Sequence, residues 1–82
     1  QGVPQDLESA VALYAAAARD GERDAQFALG RLYADGIGVP RDDARAITWL
    51  TRAVMQGEDA ARVFYQERFG RKRRGVAADE GA

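Results

Sequence analysis

The apolar residues of this chain recur at helical spacing in three stretches. In the first and third stretches the same six positions are apolar, which places them on one face of an α-helix. These positions are Ala10, Val11, Leu13, Tyr14, Ala17 and Ala18, and then Ala46, Ile47, Trp49, Leu50, Ala53 and Val54. The middle stretch, from about Asp24 to Ala34, carries Ala25, Ala28, Leu29 and Leu32 on one face. The pattern predicts helices, and β-branched residues nowhere alternate with polar ones as they do in strands.

The residues that flank these stretches are those that begin and end helices. Asp6 and Asp42 each follow a proline closely and are placed to cap a helix N-terminus. Gly21 and Gly57 stand where a residue of left-handed conformation ends a helix. Residues 35–40, Asp-Gly-Ile-Gly-Val-Pro, predict a turn, so the second and third helices form an αα-hairpin.

The chain repeats itself with a period of 36 residues. Laying residues 2–25 on residues 38–61 gives nine identities in 24 positions, far more than chance gives. The identical residues are Gly2, Val3, Pro4, Asp6, Ala10, Ala17, Gly21, Glu22 and Ala25. Self-similarity at such a period is the signature of an array in which each unit packs on its neighbours.

The repeated unit carries an ordered motif of small, aromatic and turn residues. The motif reads Ala25-x-x-x-Leu29-Gly30-x-x-Tyr33-x-x-Gly36-x-Gly38-Val39-x-x-Asp42-x-x-x-Ala46-x-x-Trp49-x-x-x-Ala53-x-x-x-Gly57. It resembles the Sel-one-like repeat, a relative of the tetratricopeptide repeat, and the resemblance covers residues 2–70. The fold that it implies is all-α, with αα-hairpin repeats stacked as a short right-handed α-solenoid, a tetratricopeptide-like superhelix of about four helices with a basic C-terminal tail.

The resemblance also divides the chain. We expect one solenoid fragment over residues 1–69. Within it, residues 2–22 are the back half of a repeat, residues 23–58 a full repeat and residues 59–69 a capping helix. Residues 70–82 have no periodic apolar face, which predicts a flexible basic tail.

The last helical stretch departs from the family pattern. Gln66 stands at the slot of the small Gly30, and Phe64 stands at the slot of Ala28. We expect these larger side chains to block close packing of a further helix, so that this stretch caps the array.

At its other end the chain begins within a unit whose first helix is not in the sequence. The apolar face of the first predicted helix therefore lacks a neighbour, and solenoid repeats depend on neighbours for stability. We expect the chain to be the C-terminal end of a longer array and, in isolation, to self-associate through an edge that exposes Val11 and Tyr14.

Close packing of the helices explains most residue types in the motif, and no ligand is needed to explain them. Gly30 and Ala46 are small where neighbouring helices approach closely, and Leu29, Tyr33 and Trp49 fill the remaining space. We therefore expect these aromatic residues in the core rather than in a ligand-stacking site.

In tetratricopeptide relatives the first helix of each unit lines a concave groove, and the resemblance implies the same here. The residues that it places on the groove side are Asp24, Phe27, Arg31, Ala34 and Asp35, to which the 36-residue period adds Val63 and Glu67. A mixed apolar and charged patch of this kind predicts a site for a protein or peptide segment. Phe27 is either covered by the neighbouring repeat or offered to a partner, and the sequence leaves both alternatives open.

The amino-acid composition excludes several kinds of catalytic and metal-binding site. The chain has no Cys and no His, which excludes thiol nucleophiles, imidazole bases and Cys/His zinc sites. Asp35, Asp42 and Asp43 flank one turn, but the pattern indicates no paired acid and base in a pocket. We therefore expect a non-catalytic protein without metal, cofactor or small-molecule substrate.

Charge is unevenly distributed. Residues 1–69 carry eight basic and eleven acidic residues, whereas residues 70–82 carry four basic and two acidic ones. The four basic residues are Arg71, Lys72, Arg73 and Arg74. They provide an alternative function, a weak and salt-sensitive contact with nucleic acid, an anionic membrane or an acidic partner. The net charge of −1 disfavours nucleic acid or membrane contact over the rest of the chain, and no compartment is predicted.

Overall fold

The structure, a computed structural model, describes residues 3–70, with side chains from residue 6 onward. Four α-helices follow one another, namely α1 Val3–Arg19, α2 Arg23–Asp35, α3 Asp43–Met55 and α4 Asp59–Tyr65. The chain continues from α4 in π-helical geometry over Gln66–Gly70. Each helix packs mainly on the next one along the chain, and no strand occurs in residues 3–70. The predicted all-α helical-repeat solenoid is confirmed.

The two aspartates predicted to cap helices behave differently. Asp42 has extended backbone, and its Oδ1 accepts a hydrogen bond from the backbone N–H of Arg45 at 3.1 Å, so this cap is confirmed. The prediction for Asp6 is wrong, because α1 already begins at Val3 and Asp6 lies in its first turn. A proline at position 4 permits this start, since first-turn N–H groups have no acceptor within the helix.

Glycines of positive φ shape the turns. Gly21 and Gly57, with φ of 97° and 90°, adopt the predicted left-handed region. Gly38, in the α2–α3 turn, has φ of 76° and also lacks room for a side chain. A Cβ there would lie 2.8 Å from Cγ2 of Val11 and 3.0 Å from the carbonyl oxygen of Leu7. The α2–α3 turn is therefore pressed against α1.

Two apolar clusters fill the spaces between the helices. The first joins α1 to α2 and consists of buried Val11, Ala18, Ala25 and Leu29, with Tyr33 and Trp49 among the half-buried residues packed against it. The second joins α3 to α4 and consists of buried Leu50, Ala53 and Ala61, with Phe27, Phe64, Tyr65 and Phe69 among the half-buried residues around it. The aromatic residues of the motif thus contribute to the core, as expected.

The outer face of α1 is less exposed than the sequence predicts. Val11 is only 8% exposed, because α2 and the α2–α3 turn cover it, so its assignment to an exposed edge is wrong. Tyr14 and Leu13, at 42% and 72% exposed, do lie open on α1. Within residues 3–70, no helix combines the length and the apolar character that crossing a membrane requires.

The helices α2 and α3 approach closely at Gly30. A Cβ at this position would lie 2.7 Å from Cγ and 2.9 Å from Cδ2 of Leu50, and 3.3 Å from the carbonyl oxygen of Ala46. Leu50 and Ala46 are both fully buried, so neither has solvent to move into. Only glycine gives α2 this approach to α3.

A polar network that is buried at Gln26 and reaches the surface at Gln56 joins the segment after α1 to the segment after α3. The side chain of Gln26, which is 4% exposed, donates from Nε2 to the carbonyl oxygen of Ala18 at 3.1 Å. Nε2 of Gln56 donates to Oε1 of Gln26 at 3.0 Å and to the carbonyl oxygen of Gly21 at 2.8 Å. Nη1 of Arg23 donates to the carbonyl oxygen of Gln56 at 3.1 Å. These bonds fix the two inter-helix turns to one another.

We expect Gly30→Leu to lower the free energy of unfolding by about 2–4 kcal/mol, because the added side chain overlaps Leu50 and the α3 backbone. Urea unfolding followed by far-ultraviolet circular dichroism measures this loss. The control Ala60→Leu adds the same atoms, apart from Cβ, to an exposed position on α4 and should change stability by less than about 0.5 kcal/mol. Equal effects of the two variants would contradict the close packing at Gly30.

We expect Gln26→Leu to lower the free energy of unfolding by about 1–3 kcal/mol, because it removes the two hydrogen bonds that Gln26 makes with the Ala18 carbonyl and the Gln56 amide. Gln66→Leu makes the same chemical change at an exposed site and serves as the control. A Gln26→Leu protein as stable as the parent in the same unfolding assay would show that the network does not hold the turns together.

Candidate partner-binding face

Two phenylalanines join α2 to α4. The ring centroids of Phe27 and Phe64 lie 6.2 Å apart with an interplanar angle of 72°, the edge-to-face arrangement that ring quadrupoles favour. Both side chains are half-buried against the α3–α4 cluster. Phe27 is thus covered in part by the neighbouring unit, the first of the two alternatives that the sequence leaves open.

The guanidinium of Arg31 stands over this aromatic pair. Its central carbon lies 5.5 Å from the ring centroid of Phe27 and 5.9 Å from that of Phe64. Cation–π attraction therefore holds an exposed side chain in place. Within residues 3–70, Arg31 has no carboxylate partner and no side-chain hydrogen bond. Its N–H donors are available to a ligand.

A second arginine, Arg68, contacts both Phe64 and Asp35. Nη1 of Arg68 donates to Oδ1 of Asp35 at 2.7 Å, and the Arg68 guanidinium lies 4.8 Å from the ring centroid of Phe64. The Asp35 side chain is 33% exposed, so its carboxylate is partly desolvated and occupied by this bond. We call the surface formed by Phe27, Arg31, Asp35, Phe64 and Arg68 the α2–α4 face.

The remaining residues predicted for the site have different surroundings. Asp24, Val63 and Glu67 are exposed, and neither carboxylate pairs with another residue of the described range. Ala34 is only 3% exposed, so its assignment to the groove side is wrong. It lies one helical turn after Gly30, on the side of α2 that α3 covers. The tail residues Arg71, Lys72, Arg73 and Arg74 lie outside the described residues.

Phe64 and Arg68 complete the α2–α4 face, although the sequence pattern did not assign them to it. In the 36-residue period Phe64 corresponds to Ala28, and Arg68 corresponds to Leu32. An aromatic or charged residue at a slot that is aliphatic in the other unit was the available signal. It marks a position where the units differ, but only the contacts show which neighbour the side chain meets.

Three ion pairs outside this face join residues that are two or three positions apart in the sequence. Arg41 donates hydrogen bonds of 3.2 and 3.3 Å to Asp43, and these bonds raise the pKa of the Arg41 guanidinium. Arg62 pairs with Asp59, three residues earlier, at 3.4 Å. Such exposed pairs contribute little to stability. In the part of the chain that the structure describes, no group of acidic side chains is arranged to hold a metal ion.

These features define a helical-repeat protein. They are the stacked αα-hairpins, the helix contact that only glycine permits, and the surface of apolar and charged residues between α2 and α4. The chain belongs to the Sel1 repeat family, whose repeat matches residues 1–22 and 23–58. Sel1 repeats generally mediate protein–protein interaction, and they are generally non-catalytic modules.

Two known proteins are similar to the chain. The crystal structure of a Sel1 repeat protein from Oxalobacter formigenes matches 77% of the chain with a TM-score of 0.75 and 43% identity. The chitin synthase regulator SKT5 of Malassezia restricta is 35% identical over 82 residues, which is 98% of the chain. The chain spans only 18% of the first protein and 6% of the second.

We expect Phe64→Ala to lower the free energy of unfolding by about 2–3 kcal/mol, less than for a fully buried phenylalanine because the ring is half-buried. Val63→Ala, which truncates the exposed neighbour, should change stability by less than about 0.5 kcal/mol. Thermal or urea unfolding compares the two variants. A Phe64→Ala protein that matches Val63→Ala would mean that the ring does not join α4 to the rest of the fold.

Proposed function

We propose that this chain is a non-catalytic interaction module that binds a protein or peptide segment on the concave side formed by α2 and α4. The residues that we propose to contact the partner are Asp24, Phe27, Arg31, Asp35, Val63 and Glu67. The observation that carries the proposal is the exposed Val63, at 52%, on α4, which also carries Phe64 of the half-buried pair of Phe27 and Phe64. An exposed apolar side chain, an aromatic pair and unpaired charges together have the composition of a protein-binding surface.

The charges around this surface support recognition rather than folding. Arg31, Asp24 and Glu67 are all exposed and have no ion-pair partner among residues 3–70. Unpaired charges at the rim of an apolar patch steer a partner and reject partners of the wrong charge. The fungal relative is named for regulation of chitin synthase, and regulation is a role that an interaction module can serve.

The alternative function rests on charge rather than on apolar contact. It is an electrostatic contact through Arg71, Lys72, Arg73 and Arg74. Four consecutive basic residues attract phosphates or carboxylates, and their binding weakens steeply as salt increases. Binding through the α2–α4 face depends on buried apolar area and is much less sensitive to salt. Self-association through Tyr14 also stays a prediction.

The proposal is tested by selecting peptides from a random dodecapeptide phage library on the full chain. We expect the affinity of the selected synthetic peptides, measured by fluorescence anisotropy, to fall about tenfold in Val63→Asp because the variant places a charge in the apolar contact. Met55→Asp is the matched control, since Met55 is 79% exposed and lies on α3. Its affinity should stay within about twofold of the parent.

Three outcomes would contradict the proposal. They are a selection that yields no binding peptide, equal losses in Val63→Asp and Met55→Asp, and binding that disappears when only the basic run is neutralised. The last result would favour the alternative function.

A further inference from the structure

A short motif occurs three times in the chain, and its third copy follows α4 in the sequence. The motif is Gly-Val-x-x-Asp, and its copies span residues 2–6, 38–42 and 75–79. The second copy follows the first by 36 residues, and the third follows the second by 37. The third copy lies outside the described residues, so its sequence and the surface of α3 and α4 carry the inference.

The three named residues of the motif each have a structural role in the second copy. Gly38 has φ of 76° and lies so close to α1 that a Cβ would be 2.8 Å from Cγ2 of Val11. Val39 packs against the apolar cluster between α1 and α2. Asp42 caps α3, and its own N–H donates to the carbonyl oxygen of Tyr33 at 3.0 Å. These contacts dock the turn on the preceding pair of helices.

The first copy has no pair of helices on which to dock. No helix precedes it in the described part of the chain, and α1 starts at Val3 rather than after Asp6. The third copy, in contrast, follows α3 and α4, which the 36-residue period relates to α1 and α2. The surface that the second copy uses therefore has an equivalent in front of the third.

Side chains on this equivalent surface are less covered than their counterparts in the preceding unit. Ile47 corresponds to Val11, and Tyr65 corresponds to Leu29. Val11 and Leu29 are 8% and 1% exposed, whereas Ile47 and Tyr65 are only half-buried. Val39 of the turn is one of the side chains that cover the first pair. An apolar residue at the same place on the second pair would remove further apolar area from water.

The π-helical turn after α4 accounts for the one additional residue before the third copy. Residues 30–34 of α2 are α-helical, whereas the corresponding residues Gln66–Gly70 are π-helical. A π turn closes its hydrogen bonds from i to i+5 and so takes one residue more than an α turn. The spacing of 37 therefore lets the third copy face α3 and α4 in the register of the second copy.

We infer that residues 75–79 dock on α3 and α4 as residues 38–42 dock on α1 and α2. Val76 lies against Ile47 and Tyr65 in this arrangement. The basic run before it then joins two anchored points of the fold, in place of the flexible tail that the sequence predicts. This contact lies within the chain and does not depend on the partner proposed above.

Nuclear magnetic resonance of the full chain tests the contact directly. We expect nuclear Overhauser effects between the methyl groups of Val76 and the side chains of Ile47 and Tyr65. We also expect the amide hydrogen of Asp79 to exchange with solvent at least about tenfold more slowly than in an unstructured peptide. The reason is that the equivalent N–H, that of Asp42, is hydrogen-bonded in the second copy.

Two substitutions that introduce the same side chain separate docking from a general effect of charge. Val76→Asp places a carboxylate in the apolar contact. It should remove the protection of the Asp79 amide and lower the midpoint of thermal unfolding by roughly 4 °C or more. Ala78→Asp is the matched control, because the motif aligns Ala78 with Arg41, which is exposed. It should leave both measurements unchanged.

Three results would overturn the inference. The first is the absence of the Overhauser effects together with exchange of the Asp79 amide at the rate of an unstructured peptide. The second is an equal loss of protection in Val76→Asp and Ala78→Asp. The third is protection that increases when the protein concentration is raised about tenfold, since the segment would then dock on a second copy of the chain.

Discussion

The close contact between α2 and α3 at Gly30 is the constraint on which the other features depend. The two helices lie so close that a Cβ at Gly30 would be 2.7 Å from Cγ of Leu50, so any side chain there would force them apart. With α2 fixed on α3, the opposite side of α2 is free to cover Val11 and Ala18 of α1. The same placement turns Phe27 and Arg31 toward α4. A single missing side chain thus determines which residues of α2 are core and which form a surface.

Gln26 adds a second constraint that apolar packing alone does not supply. Apolar clusters tolerate small shifts because dispersion contacts have no direction, whereas hydrogen bonds require defined distances and angles. The bonds from Gln26 and Gln56 join the turn after α1 to the turn after α3. Because α2 and α4 begin directly after these turns, the network fixes the starting points of the two helices whose side chains meet in the α2–α4 face.

Periodicity predicted the features that the repeated units share. It failed where the units differ, or where a contact between residues far apart in the sequence determines the burial or the partner of a side chain. The helices, the Asp42 cap and the small residue at Gly30 follow from spacing and local backbone chemistry. Asp6 was misplaced because a proline starts a helix as readily as it precedes one. The prediction that Val11 is exposed was wrong because the turn that covers it, at Gly38, lies 27 residues later in the sequence. The bond between Arg68 and Asp35 joins side chains 33 residues apart, and neither residue type by itself predicts the other.

The surface chemistry of this fold therefore lies in the departures from its own repeat. The slot held by Ala28 in one unit holds Phe64 in the next, where the ring meets Phe27 of the preceding unit. The slot of Leu32 likewise holds Arg68 in the next unit, where the guanidinium pairs with Asp35. Since such exchanges leave the Gly30 contact untouched, a repeat can acquire a different ligand preference in each unit without a change of fold. The unpaired charge of Arg31 follows from this arrangement, because Arg68 already occupies the nearby carboxylate that would otherwise be available to it.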